Sequence, residues 1–347
     1  MAQSIELEAG VDHAASFLEP YVQSGSLNFL IGSGASFPAI KMAGSIEDEI
    51  NKLLAANSEA EANLKCVSFV EAINLAHRKI LKTPDEADTK SVVHGYSRFT
   101  GLIDRILFAR KNLLLPRQAN VFTTNYDMFI EHAASLLPGV ILNDGFDRSP
   151  GLMDASTFAP ERFFDRTYRS GPVYGHQTEI PTINLVKIHG SISWRKKATS
   201  ILYSPSPITD LTVDEKKDPS KVKAYLEKHF LILPNLKKFH TTLFERVYYD
   251  LLRLFSKAMD QENAVLFAFG FSFADEHILD VTRRALRNPT AQLIVFAFDK
   301  PSVAGYEAKF SPHRNVSIIS PKAGATIDFS RLNNILEAIV SVQANAH

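Results

Sequence analysis

Four stretches of the sequence place glycine or small polar residues directly after an apolar run, where a strand would deliver them to a ligand. An asparagine amide can hold a water or a hydroxyl group, a histidine can accept a proton near neutral pH, and an aspartate can orient a hydroxyl group. A glycine-rich turn after a strand lets backbone N–H groups approach a phosphate. The four stretches are GSGAS at 32–36, TTNYD at 123–127, HGS at 189–191 and GFS at 270–272.

Each stretch alone also has an ordinary structural explanation. The first lacks the third glycine of the usual dinucleotide fingerprint, and tight glycine turns also occur without a ligand. Asn125 is in position to cap the helix predicted after it. A histidine before a glycine, such as His189, is more often a partly exposed hydrogen-bonding residue than a catalyst. The functional interpretation therefore depends on whether the four stretches meet.

The hydrophobic pattern predicts the elements that would position these stretches. Continuous apolar runs predict buried strands at 27–31, 119–124, 139–142, 183–190, 264–270 and 292–298, and from residue 315 onward. Apolar residues at helical spacing predict helices at 3–23, 128–137, 241–259 and 332–342, and from about residue 274. This alternation predicts an α/β fold, a Rossmann-like doubly wound and mainly parallel sheet. Ligands of such sheets bind outside the carboxyl ends of the strands, so the four stretches would share one rim.

The rest of the chain divides around this predicted sheet. Residues 45–116 are rich in leucine, alanine, glutamate and lysine at helical spacing, which predicts a helical insertion. Residues 145–181 and 195–228 are rich in turn-forming and polar residues, and we expect irregular excursions there. We therefore expect a single domain over residues 1–347.

The composition is that of a globular chain without a strong overall charge. Hydrophobic residues make up 45% and charged residues 22% of 347, and Lys plus Arg equals Asp plus Glu at 38 each. No overall field attracts nucleic acid or an anionic membrane. The single cysteine, Cys66, excludes a disulfide framework and a zinc site of several thiolates within this chain, and we expect it to be a small buried apolar residue. With no secretory pattern and no apolar run of membrane-spanning length, the expected location is the cytoplasm.

The order of the motifs resembles the sirtuin family, and more closely its bacterial branch that hydrolyses NAD in antiphage defence. The resemblance covers roughly residues 25–45 and 118–300. It is carried by GSGAS at 32–36, the T-x-N-x-D pattern at 123–127, I-H-G at 188–190, LILP followed by lysine and phenylalanine within 231–239, and GFSFADEHI at 270–278.

The resemblance implies NAD as the substrate and assigns roles to individual residues. Asn125, His189 and Asp127 would be catalytic: Asn125 would hold a water or a ribose hydroxyl group, and His189 would accept its proton. Asp127 would orient a ribose hydroxyl group or add negative potential near the developing cation. The backbone N–H groups of 33–35 would bind the pyrophosphate. The residues implied to bind NAD are Gly32, Ser33, Gly34, Ala35, Ser36, Thr124, Gly190, Gly270 and Ser272.

Three further residues have two readings each. Asp299 either touches adenine or ribose, or is a turn residue at a strand end. Phe37 either covers the nicotinamide pocket or belongs to the core. Asp275 is expected to be a helix cap rather than a catalyst.

The resemblance also implies a reaction and a biological setting. The reaction is cleavage of the nicotinamide–ribose bond to give nicotinamide and ADP-ribose or its cyclic form, as the effector of a defence that depletes NAD. A separate regulatory partner, a HerA-like ATPase or a short Argonaute, is implied, with nucleic acid contacted through that partner, together with a homo-oligomer and no membrane. Deacylating sirtuins carry a four-cysteine zinc ribbon, which one cysteine cannot form, so no metal is expected. Two alternatives stay open: a module that binds NAD or an ADP-ribose derivative without turnover, and a zinc-free deacylase.

Overall fold

The computed structural model describes residues 3–7, 12–41, 43–82, 86–110, 112, 114–148, 156–171, 175, 177–197, 200–231 and 242–345. Its helices are α1 Asp12–Ser24, α2 Ala43–Ala55, α3 Glu59–Leu81, α4 Ala87–Ala109, α5 Phe129–Ser135, α6 Pro219–Lys228, α7 Thr242–Met259, α8 Glu276–Ala285, α9 Ser302–Phe310 and α10 Phe329–Asn345. Its strands are β1 Gln3–Glu6, β2 Ser26–Ile31, β3 Gln118–Thr123, β4 Ile141–Asn143, β5 Phe146–Asp147, β6 Thr157–Phe158, β7 Tyr168–Ser170, β8 Gln177–Glu179, β9 Thr182–Lys187, β10 Gly190–Lys197, β11 Ser200–Tyr203, β12 His229–Leu231, β13 Ala264–Phe269, β14 Gln292–Phe296 and β15 Val316–Ser320. Among these helices none is both long and apolar enough to cross a membrane.

The central sheet has eight parallel strands within the described residues, in the order β1-β15-β14-β13-β2-β3-β9-β4. From β2 the chain builds outward to β3 and β9 on one side, and later from β13 to β15 on the other. This reversal makes the β2–β13 boundary the topological switch point, where doubly wound sheets bind their ligands. The predicted Rossmann-like, doubly wound parallel sheet is confirmed.

Both faces of the sheet are covered because successive strand residues point to opposite faces. Phe29 and Val121 pack on one face in a core shared with α1, α4, α5 and α10. Leu30 and Phe122, the next residues along the same strands, pack on the other face with α7, α8 and α9. The strands therefore read as continuous apolar runs, as fully buried parallel strands do.

The helical prediction at residues 3–23 is wrong at its beginning. Residues Gln3–Glu6 form strand β1, which pairs in parallel with β15 at the edge of the sheet. Four residues are too few for hydrophobic periodicity to separate a strand from a helical turn. The open hydrogen-bonding edge of β15 decides the conformation.

The interval between β2 and β3 forms three helices that pack in two places. Helix α4 packs against the sheet together with α5 and α10. Helices α2 and α3 instead form a separate apolar cluster with parts of the chain that follow β3 and β9, including Tyr126 and Ile192. Cys66 lies inside this cluster, and burial raises the pKa of its thiol to about 12, so its predicted role as a small apolar core residue is confirmed.

The two predicted excursions contain more regular structure than expected. A second sheet has the order β12-β10-β11-β6-β5, with antiparallel pairing, and β7 and β8 form a hairpin. Helix α6 lies within the second excursion, where the Asp218 side chain accepts a hydrogen bond from the backbone of Ser220 at its start. Most of these strands have two to four residues, too few to show the alternation by which strands are recognised.

Four asparagines form a hydrogen-bonded ladder across neighbouring strands of the central sheet. Asn28, Asn120, Asn184 and Asn143 are directly paired in the registers of β2 with β3, β3 with β9, and β9 with β4. Each amide nitrogen donates to the amide oxygen of the next: Asn120 to Asn28 at 2.8 Å, Asn184 to Asn120 at 3.0 Å, and Asn143 to Asn184 at 3.0 Å. Because a buried amide needs partners, the ladder favours this register over any shifted one.

Replacing Asn184 by alanine tests this ladder. The variant leaves the amide oxygen of Asn120 without its donor and removes one acceptor of Asn143, so we expect the free energy of unfolding to fall by about 2 to 4 kcal/mol. Urea unfolding measures the change. Asn51→Ala, at an exposed position of α2, is the matched control and should change stability by less than about 0.5 kcal/mol. A similarly small effect of Asn184→Ala would show that the ladder does not contribute to stability.

Candidate functional site

The four stretches singled out in the sequence meet at the carboxyl ends of neighbouring strands. The turn at 32–36 follows β2, residues 124–127 follow β3, His189 follows β9, and the segment at 270–275 follows β13. Hydrogen bonds connect the first stretch to the second and to the fourth, and His189 of the third stretch to Asp275, three residues after the fourth. The expected shared rim therefore exists, and it includes the topological switch point.

Glycines let the turns after β2 and β13 approach each other, backbone against backbone. The N–H of Gly32 donates to the carbonyl of Phe269 at 3.0 Å, and that of Gly34 to the carbonyl of Gly270 at 3.1 Å. A Cβ on Gly32 would lie 2.3 Å from the Gly270 oxygen. Gly270 has φ +62°, a left-handed conformation that side chains disfavour. The glycines are thus required by the turn itself.

Two of the three N–H groups of residues 33–35 that are expected to bind a pyrophosphate donate to the protein itself in this structure. The N–H of Gly34 donates to Gly270, and the N–H of Ala35 donates to the Gly32 carbonyl at 3.1 Å, closing a short 3₁₀ turn over Ser33–Ser36. Both donors are occupied by the protein. The sequence shows that a glycine turn can expose its N–H groups. It does not show that carbonyl groups of the same turn and of a neighbouring turn accept hydrogen bonds from them.

Asn125 connects the end of β3 to this glycine turn. It is 7% exposed, and its amide nitrogen lies 2.9 Å from the Gly32 carbonyl, 3.2 Å from the Ser36 hydroxyl and 3.4 Å from the Tyr96 hydroxyl. Its backbone N–H donates to Thr123. Asn125 is therefore not the cap of the following helix. With the amide nitrogen bound to the protein, Oδ1 is the atom left for a ligand, since it has no hydrogen bond among the described residues.

Asp127 lies beneath the rim and organises it. One carboxylate oxygen accepts from the Ser36 hydroxyl at 2.7 Å, and the other accepts from the backbone N–H of Phe129 at 3.2 Å and so caps α5. Burial raises the pKa of Asp127 above its ordinary value, while Lys187 and the hydrogen bonds oppose this. Both oxygens are engaged, so the carboxylate positions the turn and contributes negative potential.

A buried ion pair between Lys187 and Glu131 lies next to the segment that contains Asp127. Lys187 is 3% exposed, and its ammonium group contacts Glu131 at 2.8 Å, Ser191 at 3.2 Å and the backbone carbonyl of Asp127. Burial raises the pKa of Glu131, partly offset by Lys187. A single ammonium group thus ties together the segments after β3 and β9.

His189 is hydrogen-bonded to an aspartate in the segment that follows β13. Its Nε2 lies 2.9 Å from Oδ2 of Asp275, and Oδ1 of Asp275 accepts from the backbone N–H of Ile278 at 3.0 Å. The predicted cap of α8 is confirmed, but the contact with His189 was not predicted. Burial by itself would raise the pKa of Asp275, but the hydrogen bond and charge of His189 hold it below its ordinary value.

Two tyrosine rings flank His189. The ring centroids of Tyr126, which follows β3, and of Tyr248, on α7, each lie 6.2 Å from the imidazole centroid. Tyr126 in turn contacts Phe69 of α3 edge-on at 5.8 Å. The imidazole therefore sits among aromatic rings, one of which is in contact with the helical insertion.

The remaining predicted binding residues lie around this centre. Thr124 is half-buried, and Ser272 is exposed, with its carbonyl accepting from Lys309 at 2.5 Å. Gly190 begins β10 with φ +84°. The part of the LILP motif and its following residues at 232–239 lies outside the described residues.

The structure excludes one reading of Phe37 and shows the turn contacts of Asp299, while the contact of either residue with NAD stays a prediction. Phe37 is 57% exposed, so the core reading is wrong. Asp299 accepts hydrogen bonds from the backbone and hydroxyl groups of Ser302 at the start of α9, as a strand-end turn residue does. In the described part of the chain, no group of three or more His, Cys, Asp or Glu side chains is arranged to hold a metal ion.

Comparison with protein families gives a match to the model described as SIR2-like domain, over residues 119–319. These 201 residues, counted from 119 through 319, are more than half of the 347 in the chain. The match includes Asn125, His189 and Asp275 and begins after the glycine turn at 32–36. No curated protein matches the chain.

The raised pKa of Asp127 predicts a pH-dependent stability. Ionising Asp127 costs more free energy in the folded chain than in the unfolded chain, because burial raises its pKa. The stability contributed by the neutral carboxyl is therefore fully present below the unfolded pKa of about 4. It is lost as the pH rises through the folded pKa. Asp127→Asn removes this titration and keeps an oxygen for the Phe129 N–H. Urea unfolding from about pH 4 upward should show the wild type losing stability relative to the variant. A stability difference that is independent of pH would contradict the assignment.

Gly270→Ala tests the close approach of the two turns. The added Cβ would lie 2.8 Å from the Ala35 nitrogen, at a residue with φ +62°, so we expect a loss of more than about 1 kcal/mol in the free energy of unfolding. Gly305→Ala is the control, because nothing lies within 4 Å of its added Cβ in α9. It should be neutral or stabilise by up to about 1 kcal/mol. Equal effects of the two substitutions in chemical denaturation would rule out the contact.

Proposed function

The chain belongs to the SIR2-like domain family, whose members are NAD-using enzymes, and from this we propose that it is an NAD glycohydrolase. It cleaves the bond between nicotinamide and ribose and releases nicotinamide and ADP-ribose. The observation that carries the proposal is the meeting of Asn125, the glycine turn and the hydrogen-bonded His189 at one rim, beside the switch point.

The fold supports the placement of a dinucleotide across this rim. In doubly wound sheets a dinucleotide lies across the crevice at the switch point, here between β2 and β13. Asn125 and His189 follow β3 and β9, on one side of that boundary. We therefore place the nicotinamide riboside half toward these two residues and the adenosine half toward Gly270 and Ser272. We also propose that Phe37, which is exposed and lies next to the glycine turn, covers the nicotinamide.

The chemistry needs a group that accepts a proton and an environment that tolerates a cation. Nicotinamide leaves as a neutral molecule, so its departure requires no strong acid, and the ribose develops oxocarbenium character as in glycoside hydrolysis. A water oxygen then bonds to the anomeric carbon while the bond to nicotinamide breaks, and His189 takes the proton of that water. Oδ1 of Asn125 accepts a hydrogen bond from the water or a ribose hydroxyl group. Asp127, beneath them, adds negative potential near the developing cation.

Two observations favour hydrolysis over protein deacylation. One cysteine cannot form the zinc ribbon of four cysteines that the resemblance associates with deacylases. The chain after His189 instead continues into β10 of a second sheet, which packs beside the helical insertion.

We also propose, on the family resemblance, a role as an effector that depletes NAD in bacterial antiphage defence. Constant hydrolysis of cytoplasmic NAD would harm the cell, so the activity must be restrained. A separate partner, a HerA-like ATPase or a short Argonaute, would provide the trigger and the contact with nucleic acid. The resemblance further supports assembly into a homo-oligomer.

Alanine substitutions of Asn125 and His189 test the proposed chemistry. Each should lower the rate of nicotinamide release from NAD by about 10² to 10⁴-fold. His189→Ala removes the proton acceptor, and Asn125→Ala removes the amide oxygen that orients the water or the ribose hydroxyl group. The release is followed by chromatography of NAD with the purified full chain, alone and with the partner. His94→Ala on α4 and Asn51→Ala on α2, both at exposed positions, are the matched controls and should retain activity.

The same assay separates the alternatives. Loss of NAD without any peptide supports the glycohydrolase. NAD that binds but stays intact, alone and with the partner, would overturn hydrolysis and favour a binding module for NAD or an ADP-ribose derivative. Nicotinamide release that requires an acylated peptide would instead favour a zinc-free deacylase.

A further inference from the structure

We propose that Asp275 is a positioning residue that holds His189 in the tautomer with hydrogen on Nε2, so that Nδ1 is the nitrogen that accepts a proton. The assignment rests on the proposed function, because it specifies which atom of the histidine does the chemistry. Neither the motif pattern nor the family match distinguishes the two ring nitrogens.

The hydrogen bond fixes the tautomer by the chemistry of its two groups. An ionised carboxylate only accepts hydrogen bonds, so at 2.9 Å from Oδ2 of Asp275 the Nε2 of His189 must be the donor. A neutral imidazole carries one hydrogen, and its lone pair is then on Nδ1. An aspartate carboxyl with an ordinary pKa of about 4 is ionised at neutral pH, and the hydrogen bond from His189 lowers the pKa of Asp275 although burial opposes this.

The carboxylate is itself held in one orientation. Oδ1 accepts from the backbone N–H of Ile278, which is fully buried at the beginning of α8. Oδ2 therefore points to the imidazole, which follows β9. The pair thus connects the end of β9 to the beginning of α8, the helix that follows β13.

The other titratable groups around His189 differ from Asp275 in charge and contact. Tyr126 and Tyr248 flank the imidazole, and His277 lies 6.1 Å from Tyr248 between ring centroids. Burial and the charge of Asp275 raise the pKa of Tyr248, so its phenol is neutral at neutral pH. Among the described residues, Asp275 is the charged side chain in hydrogen-bonding contact with His189.

Asparagine at this position should reverse the tautomer. In Asp275→Asn the oxygen is needed by the Ile278 N–H, because that group can only donate. The amide NH₂ then faces Nε2 of His189, which must accept, and the ring hydrogen moves to Nδ1. The proton-accepting atom is lost while the helix cap is kept. Aspartate-to-asparagine changes beside a catalytic histidine act in this way in Ser-His-Asp triads.

Two variants separate positioning from a structural role. We expect Asp275→Asn to lower kcat for NAD hydrolysis by about 10² to 10⁴-fold with little change in Tm or in KM. Asp275→Ala leaves the tautomer free and should keep more activity than Asp275→Asn, but it removes the cap and should lower Tm. A merely structural aspartate predicts the opposite order, with alanine the less active variant. That order would overturn the proposal.

Nitrogen NMR of ring-labelled histidine provides a readout without turnover. In the full-length protein at neutral pH, the signals absent from His189→Ala should show hydrogen on Nε2 in the wild type and on Nδ1 in Asp275→Asn. The same tautomer in both proteins, or hydrogen on Nδ1 in the wild type, would overturn the positioning role. If the wild type does not hydrolyse NAD, the proposed function fails, but the tautomers still decide the role of Asp275.

Discussion

The register of the central sheet is the constraint on which the site depends, and a row of asparagine amides across β2, β3, β9 and β4 supports it. A slip of one residue would turn each strand over and bury the wrong side chains. The amides lie four or five residues before the rim: Asn28 precedes Gly32, Asn120 precedes Asn125 and Asn184 precedes His189. Because the asparagine ladder fixes the register of the three strands, the polar residues at their carboxyl ends lie side by side.

The rim is held by polar groups that satisfy one another. Asn125 and Asp127 both contact Ser36, and the ammonium group of Lys187 reaches the backbone at Asp127 from below. Groups fixed in this way need little rearrangement when a substrate arrives, which is how proteins prepare a site for catalysis. Burial raises the pKa of Asp127, so keeping this carboxylate ionised beneath the turn costs free energy.

The sequence predicted elements better than contacts between them. The parallel strands at the centre were predicted because a fully buried strand is a continuous apolar run, while β1 and the short strands of the second sheet carry too little pattern. The amide row went unpredicted because each asparagine looks like an isolated polar residue in its own strand. The pairing of His189 with Asp275 joins residues 86 positions apart, and the Gly34 N–H donates to the carbonyl of Gly270, which only the fold brings close. In each case tertiary proximity decides what a side chain or N–H group does.

The ring contacts from Phe69 through Tyr126 to His189 connect the helical insertion to the candidate site. Under the proposed function, a molecule that binds α3 and shifts Tyr126 would change the free energy of substrate binding beside His189. Linkage is reciprocal, so the substrate changes the affinity of that molecule by the same factor. An enzyme of this kind would be regulated from its helical insertion, without any change in the residues that perform the proposed reaction.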